Sequence, residues 1–127
     1  MLLLLFYILQ IKYYNDETVT SQIWKIKDTD ELAIIYQSMF CFDTWDTVNL
    51  MVSLKPNDRF ETFDPYETLS ETMSVSDIAI QYSIQQEEKR VKAKFVYEGF
   101  PYYLEIKTED ATGKIEKYVN MLISQQN

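Results

Sequence analysis

The stretch 78-IAIQYSIQQEEKRVKAKFVYEGFPYYLEIK-107 decides the fold of this chain. Ile78, Ile80, Tyr82 and Ile84 recur with a period of two, as do Val91, Ala93, Phe95 and Tyr97, and then Tyr102, Leu104 and Ile106. That period belongs to strands with one face on a core and the other in water. Glu98-Gly99 separates the last two runs, and glycine supplies the positive φ that a tight hairpin turn requires. On the returning strand Tyr103, Glu105 and Lys107 face outward opposite Arg90, Lys92 and Lys94, where opposite charges pair across strands. The stretch predicts an antiparallel meander.

Toward the C-terminus, Asp110 or Thr112 is a candidate N-cap, and Ile115, Tyr118, Val119 and Leu122 follow at i, i+3, i+4 and i+7. Their apolar stripe predicts a closing helix laid on the sheet. Toward the N-terminus, Val48, Leu50, Val52 and Leu54 alternate with Asn49, Met51 and Ser53, which predicts another strand. Lys55-Pro56-Asn57-Asp58 ends it, because proline has no N–H for a ladder and Asn-Asp favours a turn. Pro65, with Asp64 as its cap, predicts a helix of one or two turns through Thr72.

Residues 18–42 read both ways. Val19, Ile23 and Ile26 fit a helix, while Trp24 and Ile26 alternating with Lys25 and Lys27 fit a strand. Residues 28–31 then offer N-cap chemistry ahead of Leu32, Ile35, Tyr36 and Met39, whose spacing predicts a short helix over 30–39. The expected class is therefore α+β: an antiparallel β-sheet packed by a C-terminal amphipathic helix and by a short helix in the first half.

With 127 residues, 46% of them hydrophobic and 25% charged, the chain fits one domain with its own core. The expected division is an apolar N-terminal segment, 1–14, ahead of a single domain, 15–127. Residues 1–11 are apolar except for Gln10, about half of the roughly 20 residues that a spanning helix needs. No Lys or Arg precedes Lys12, and no small-x-small cleavage pattern follows. The segment reads as a buried core element, as the stub of a membrane anchor, or as an uncleaved signal.

Composition removes several chemistries. The chain has no histidine, so Ser-His and Cys-His nucleophiles and the commonest general base are absent. The single cysteine, Cys41, excludes an internal disulfide and, between Phe40 and Phe42, reads as a packing residue. Two glycines argue against a phosphate-cradling loop. A net charge of −8 repels phosphate backbones and anionic lipid headgroups, so a basic protein is the natural partner and nucleic acid is not. No cofactor is expected.

Two constellations remain. Glu105-Ile106-Lys107 resembles the PD-(D/E)xK nucleases, which place a Glu and a Lys on the second strand of a hairpin to hold a divalent metal and orient water. Where that family has an Asp on the preceding strand, this chain reads Ala93-Lys94-Phe95. The second constellation is the segment 43–77, where Asp43, Asp46, Asp58, Glu61, Asp64, Glu67, Glu71 and Asp77 outnumber Lys55 and Arg59. Trp45, Phe60, Phe63 and Tyr66 are interleaved with these acids, and aromatic anchors inside an acidic rim suit a basic protein partner. The candidate partner-binding residues are Asp43, Trp45, Asp46, Asp58, Phe60, Glu61, Phe63, Asp64, Tyr66 and Glu67, with Tyr103 and Glu105 on the outward strand face. Segments 43–46 and 58–64 lack the glycine and ligand rhythm of an EF-hand.

In layout the chain resembles the TipC-type immunity proteins that guard Gram-positive cells against toxins secreted by the type VII system. The apolar start 1–11, the strand 46–54, the run Ile78-Ala79-Ile80-Gln81-Tyr82-Ser83-Ile84 and the hairpin 91–107 carry the likeness. The resemblance implies an extracytoplasmic, membrane-attached inhibitor, not an enzyme, that blocks a toxin with one face of its sheet. The alternatives from the residues are a degenerate metal nuclease using Glu105 and Lys107, and a structural accessory domain of an envelope or phage assembly.

Overall fold

The computed structural model describes residues 9–11, 18–25, 32–54 and 69–125. Its elements are β1 (Thr18–Lys25), β2 (Leu32–Phe40), β3 (Thr47–Ser53), β4 (Glu71–Val75), β5 (Ile78–Gln85), β6 (Arg90–Tyr97), β7 (Phe100–Lys107) and α1 (Lys114–Ser124). All seven strands form one antiparallel sheet in the order β1-β2-β3-β7-β6-β5-β4. The order amounts to two meanders, β1-β2-β3 and β4-β5-β6-β7, joined where their last strands pair. At that seam Val48 faces Ile106 and Leu50 faces Leu104, and all four are buried.

The meander read from residues 78–107 is present strand for strand, and the strand read at 48–54 is β3. Its inward rows continue across the sheet as Val52, Tyr102, Phe95 and Ile80, and as Leu50, Leu104 and Ala93. Ile115, Tyr118, Val119, Met121 and Leu122 of α1 are buried in the same core. Ile84, at the end of β5, is exposed. The N-cap is neither Asp110 nor Thr112 but Gly113, at φ +70 and without a side-chain cap. Asp110 instead accepts from the backbone N–H of Thr112 (3.0 Å).

The helix expected over 30–39 is not there: Leu32–Phe40 is strand β2. The architecture is accordingly mostly β, one sheet and one C-terminal helix, without a first-half helix among the described residues. The inward positions of β2 are Ile35, Gln37, Met39 and, just beyond it, Cys41, all buried, so a polar side chain interrupts the alternation that marks a strand. Gln37 meets its hydrogen-bonding needs inside: its Oε1 accepts from the Ile11 N–H (2.7 Å), and its Nε2 donates to the Ile11 carbonyl (2.9 Å) and Ser21 Oγ (3.1 Å). The ambiguity before it resolves as β1, paired with β2 from Thr18↔Phe40 to Lys25↔Leu32. The first half of the short helix expected from Pro65, residues 65–68, lies outside the described residues; residues 69–70 are not helical, and Glu71 and Thr72 belong to β4.

Residues 9–11 belong to the core. Leu9 and Ile11 are buried, and the Leu9 N–H donates to the Tyr102 hydroxyl (2.8 Å). Tyr102 also stacks on Phe95, with ring centroids 5.1 Å apart. The rest of the apolar start, 1–8, lies outside the described residues. Among the described residues no helix is long and apolar enough to cross a membrane.

Candidate functional site

The turn 41–46 between β2 and β3 holds the most exposed large apolar side chain of the described residues, Trp45 at 73%, and Phe42 at 60%. The turn is closed by two backbone hydrogen bonds: the Trp45 N–H donates to the Cys41 carbonyl (2.7 Å), and the Cys41 N–H donates to the Asp46 carbonyl (2.8 Å). Closing it places Trp45 at φ +62, a left-handed conformation that costs a residue with a Cβ about 1–2 kcal/mol. The Phe40 ring meets Phe42 edge-on at 5.1 Å and Trp45 edge-on at 5.9 Å. Three aromatic rings therefore form one projecting corner, beside the exposed Asp43.

Asp46 points the other way. It is fully enclosed, and its Oδ2 accepts from Lys114 Nζ (2.7 Å) and from the Tyr118 hydroxyl (2.6 Å) of α1. Burial pushes its carboxyl up, but hydrogen bonds from Lys114 and Tyr118, together with the Lys114 charge, outweigh burial and hold it below the ordinary value. Burial first, and then the bond to Asp46, pushes the Tyr118 phenol far above its ordinary value. Cys41 Sγ lies 3.5 Å from the same hydroxyl. Because that hydroxyl gives its proton to Asp46, the thiol is the donor in this second contact. One phenol thus touches both ends of the turn. Asp46 is drawn into the interior and does not reach the rim of a surface patch.

The sheet face opposite the core continues from this corner. Phe40 pairs with Thr47, Thr47 with Lys107, and Lys107 with Arg90, and paired residues share a face. In the next row Glu105 stands between Asn49 and Lys92. Glu105 lies 3.7 Å from Arg90 Nε and accepts from Asn49 Nδ2 (3.4 Å). Burial, and then the Glu105 charge, raises the pKa of nearby Tyr36. Tyr103 is buried and lines a cleft of about 450 Å³ with Lys94, Gln81, Val96 and Pro101. Arg90, Lys92, Lys94 and Lys107 make the β6–β7 part of this face basic around Tyr103 and Glu105, the arrangement of charges expected across these strands.

Of the residues expected to bind a partner, Asp43 and Trp45 come together at the projecting corner. Tyr103 and Glu105 lie on the face that Phe40 shares. Asp58, Phe60, Glu61, Phe63, Asp64, Tyr66 and Glu67 lie outside the described residues. Sequence reading missed Phe42 as a surface residue and the Lys114–Tyr118 pair as partners of Asp46. A signal existed: the alternation Val48, Leu50, Val52, carried back two residues, puts Asp46 on the inward side. The position facing Glu105 on β6 is Lys92, and no group of three His, Cys, Asp or Glu residues among the described ones is placed to hold a metal ion.

No protein-family model matches this chain, and neither curated proteins nor solved structures yield a match to it.

Proposed function

We propose that this protein is a non-enzymatic protein-binding module, acting as an immunity or inhibitor protein that neutralises a toxin by direct contact through its aromatic corner. The observation that carries this reading is Trp45: a large ring held in water on a left-handed backbone. The core gains nothing from that ring, and strain of this kind gathers where a structure presents a contact. Trp is also the residue most enriched among interface anchors. Phe42 widens the apolar contact, and Asp43 with the net charge of −8 favours a basic partner.

The test begins with proteins encoded beside this one, above all a secreted toxin, titrated calorimetrically at several salt concentrations. A true partner binds more weakly as salt rises, because charges at an interface rim are screened beyond about 8–10 Å at physiological ionic strength. Binding by such a toxin that salt leaves unchanged would remove Asp43 and the overall charge from the reading. Turnover of a substrate by the protein alone would overturn the non-enzymatic reading.

A further inference from the structure

What touches both ends of the strained turn that presents Phe42 and Trp45 is the helix. Tyr118 Oη donates to Asp46 Oδ2 at 2.6 Å and lies 3.5 Å from Cys41 Sγ. Lys114, one helical turn earlier, reaches the same carboxylate oxygen at 2.7 Å. Cys41 and Asp46 are also the residues whose backbones close the turn upon each other. A residue with a Cβ stays in the left-handed region only where its surroundings over-determine it, and Trp45 immediately precedes the anchored carboxylate. Thr44 adds only a long contact, its Oγ1 accepting from the Asp46 N–H at 3.4 Å. On the helix, Ile115, Val119 and Leu122 are buried in the main core, so α1 is a rigid support whose position does not depend on the turn.

We propose that Lys114 and Tyr118 are positioning residues for the docking corner: through Asp46 and Cys41 they hold the turn 41–46 in the conformation that projects Phe42 and Trp45. This rests on the reading of that corner as the binding site, but concerns its geometry in the free protein, so it is tested without a partner. The consequence is that corner and helix form one unit. A perturbation of the N-terminal half of α1 alters the presentation of Trp45 without touching an aromatic ring.

The test is residue-resolved amide hydrogen exchange on the full chain, comparing wild type with Tyr118→Phe and Lys114→Met. The probes are the Trp45 and Cys41 amides, which make the two turn-closing bonds; the references are Leu50 and Leu104 in the central strands. The expected result is a fall in protection at Trp45 and Cys41 about tenfold or more beyond any change at Leu50 and Leu104, the pattern of local opening. A uniform fall at all four amides would mean that the pair only adds global stability, and unchanged protection at Trp45 and Cys41 would mean that the turn holds itself; either overturns the proposal. Should Tyr118→Phe fail to fold, Lys114→Met decides alone, since Lys114 sits at the edge of the cluster with its side chain 13% exposed and methionine keeps its apolar stem. Failure to find a partner leaves these results unaffected, and an independent turn would leave the docking reading standing.

Discussion

A carboxylate closed off from solvent costs on the order of several kcal/mol unless charge and hydrogen bonds replace the water it gave up. Asp46 shows both replacements, and its lowered pKa is the sign that they win. The consequence for pH follows directly. A carboxyl whose folded pKa lies below its unfolded value near 3.9 contributes stability that is present above that value and lost as pH falls through the folded one. Urea unfolding across an acidic pH series is therefore expected to show a loss of stability in wild type that Asp46→Asn lacks. At fixed neutral pH, Asp46→Ala is expected to cost about 3 kcal/mol, because it leaves Lys114 and the Tyr118 hydroxyl facing an apolar interior. On the alkaline side, Tyr102 is pushed up to about 12, chiefly by burial. Its contribution is full below the ordinary phenol value and is lost as pH rises through the folded one. Tyrosinate absorbance is expected to show Tyr102 and Tyr118 ionising above the ordinary phenol range and together with unfolding.

Among the elements, legibility followed the regularity of the side-chain rhythm. Strands β3, β5, β6 and β7 were readable because their inward positions are apolar almost throughout. Strand β2 was not, because one inward position is Gln37, whose amide serves the backbone of Ile11, a partner 26 residues away in sequence. With that place polar, Leu32, Ile35, Tyr36 and Met39 imitate a helical stripe. The same amide makes a prediction: Gln37→Leu removes both bonds to Ile11 and is expected to destabilise by about 1–3 kcal/mol. Limited proteolysis is expected to show faster cleavage near residues 9–11 than in wild type. The cap of α1 was misread for a different reason. The chain turns into the helix through a glycine at φ +70, where backbone freedom replaces the side-chain bond that Asp110 or Thr112 offered. An added Cβ at Gly113 would meet only Glu116 Oε2, at 3.8 Å. Gly113→Ala is therefore expected to cost about 1 kcal/mol through the backbone alone, measured as a lowered urea midpoint at unchanged slope.

The whole molecule is held together by the pairing of β3 with β7, residues fifty or more apart in sequence. No local pattern announces that pairing; only the shared need of two strands to bury Val48, Leu50, Leu104 and Ile106 against one helix selects it. Leu104→Ala at this seam is expected to cost about 2–5 kcal/mol, and both meanders should unfold in one transition followed by circular dichroism and by tryptophan fluorescence. The candidate site was legible only in part. Trp45 and Asp43 stood out as an aromatic and an acid in one short segment, and the alternation of β3 carried back puts Asp46 inward, but the partners that Asp46 meets there lie on α1, some seventy residues away. The same overall view places Val96 as a control: it is 63% exposed and lies at the far end of the sheet, by the β6–β7 turn. The most direct test of the docking corner is calorimetric titration of the cognate partner with wild type, Trp45→Ala and Val96→Ser. Trp45→Ala is expected to lose about 2 kcal/mol or more of binding free energy, as an interface anchor does, while Val96→Ser stays within about 0.5 kcal/mol of wild type. Equal affinities for wild type and Trp45→Ala would contradict the assignment of that corner as the binding site.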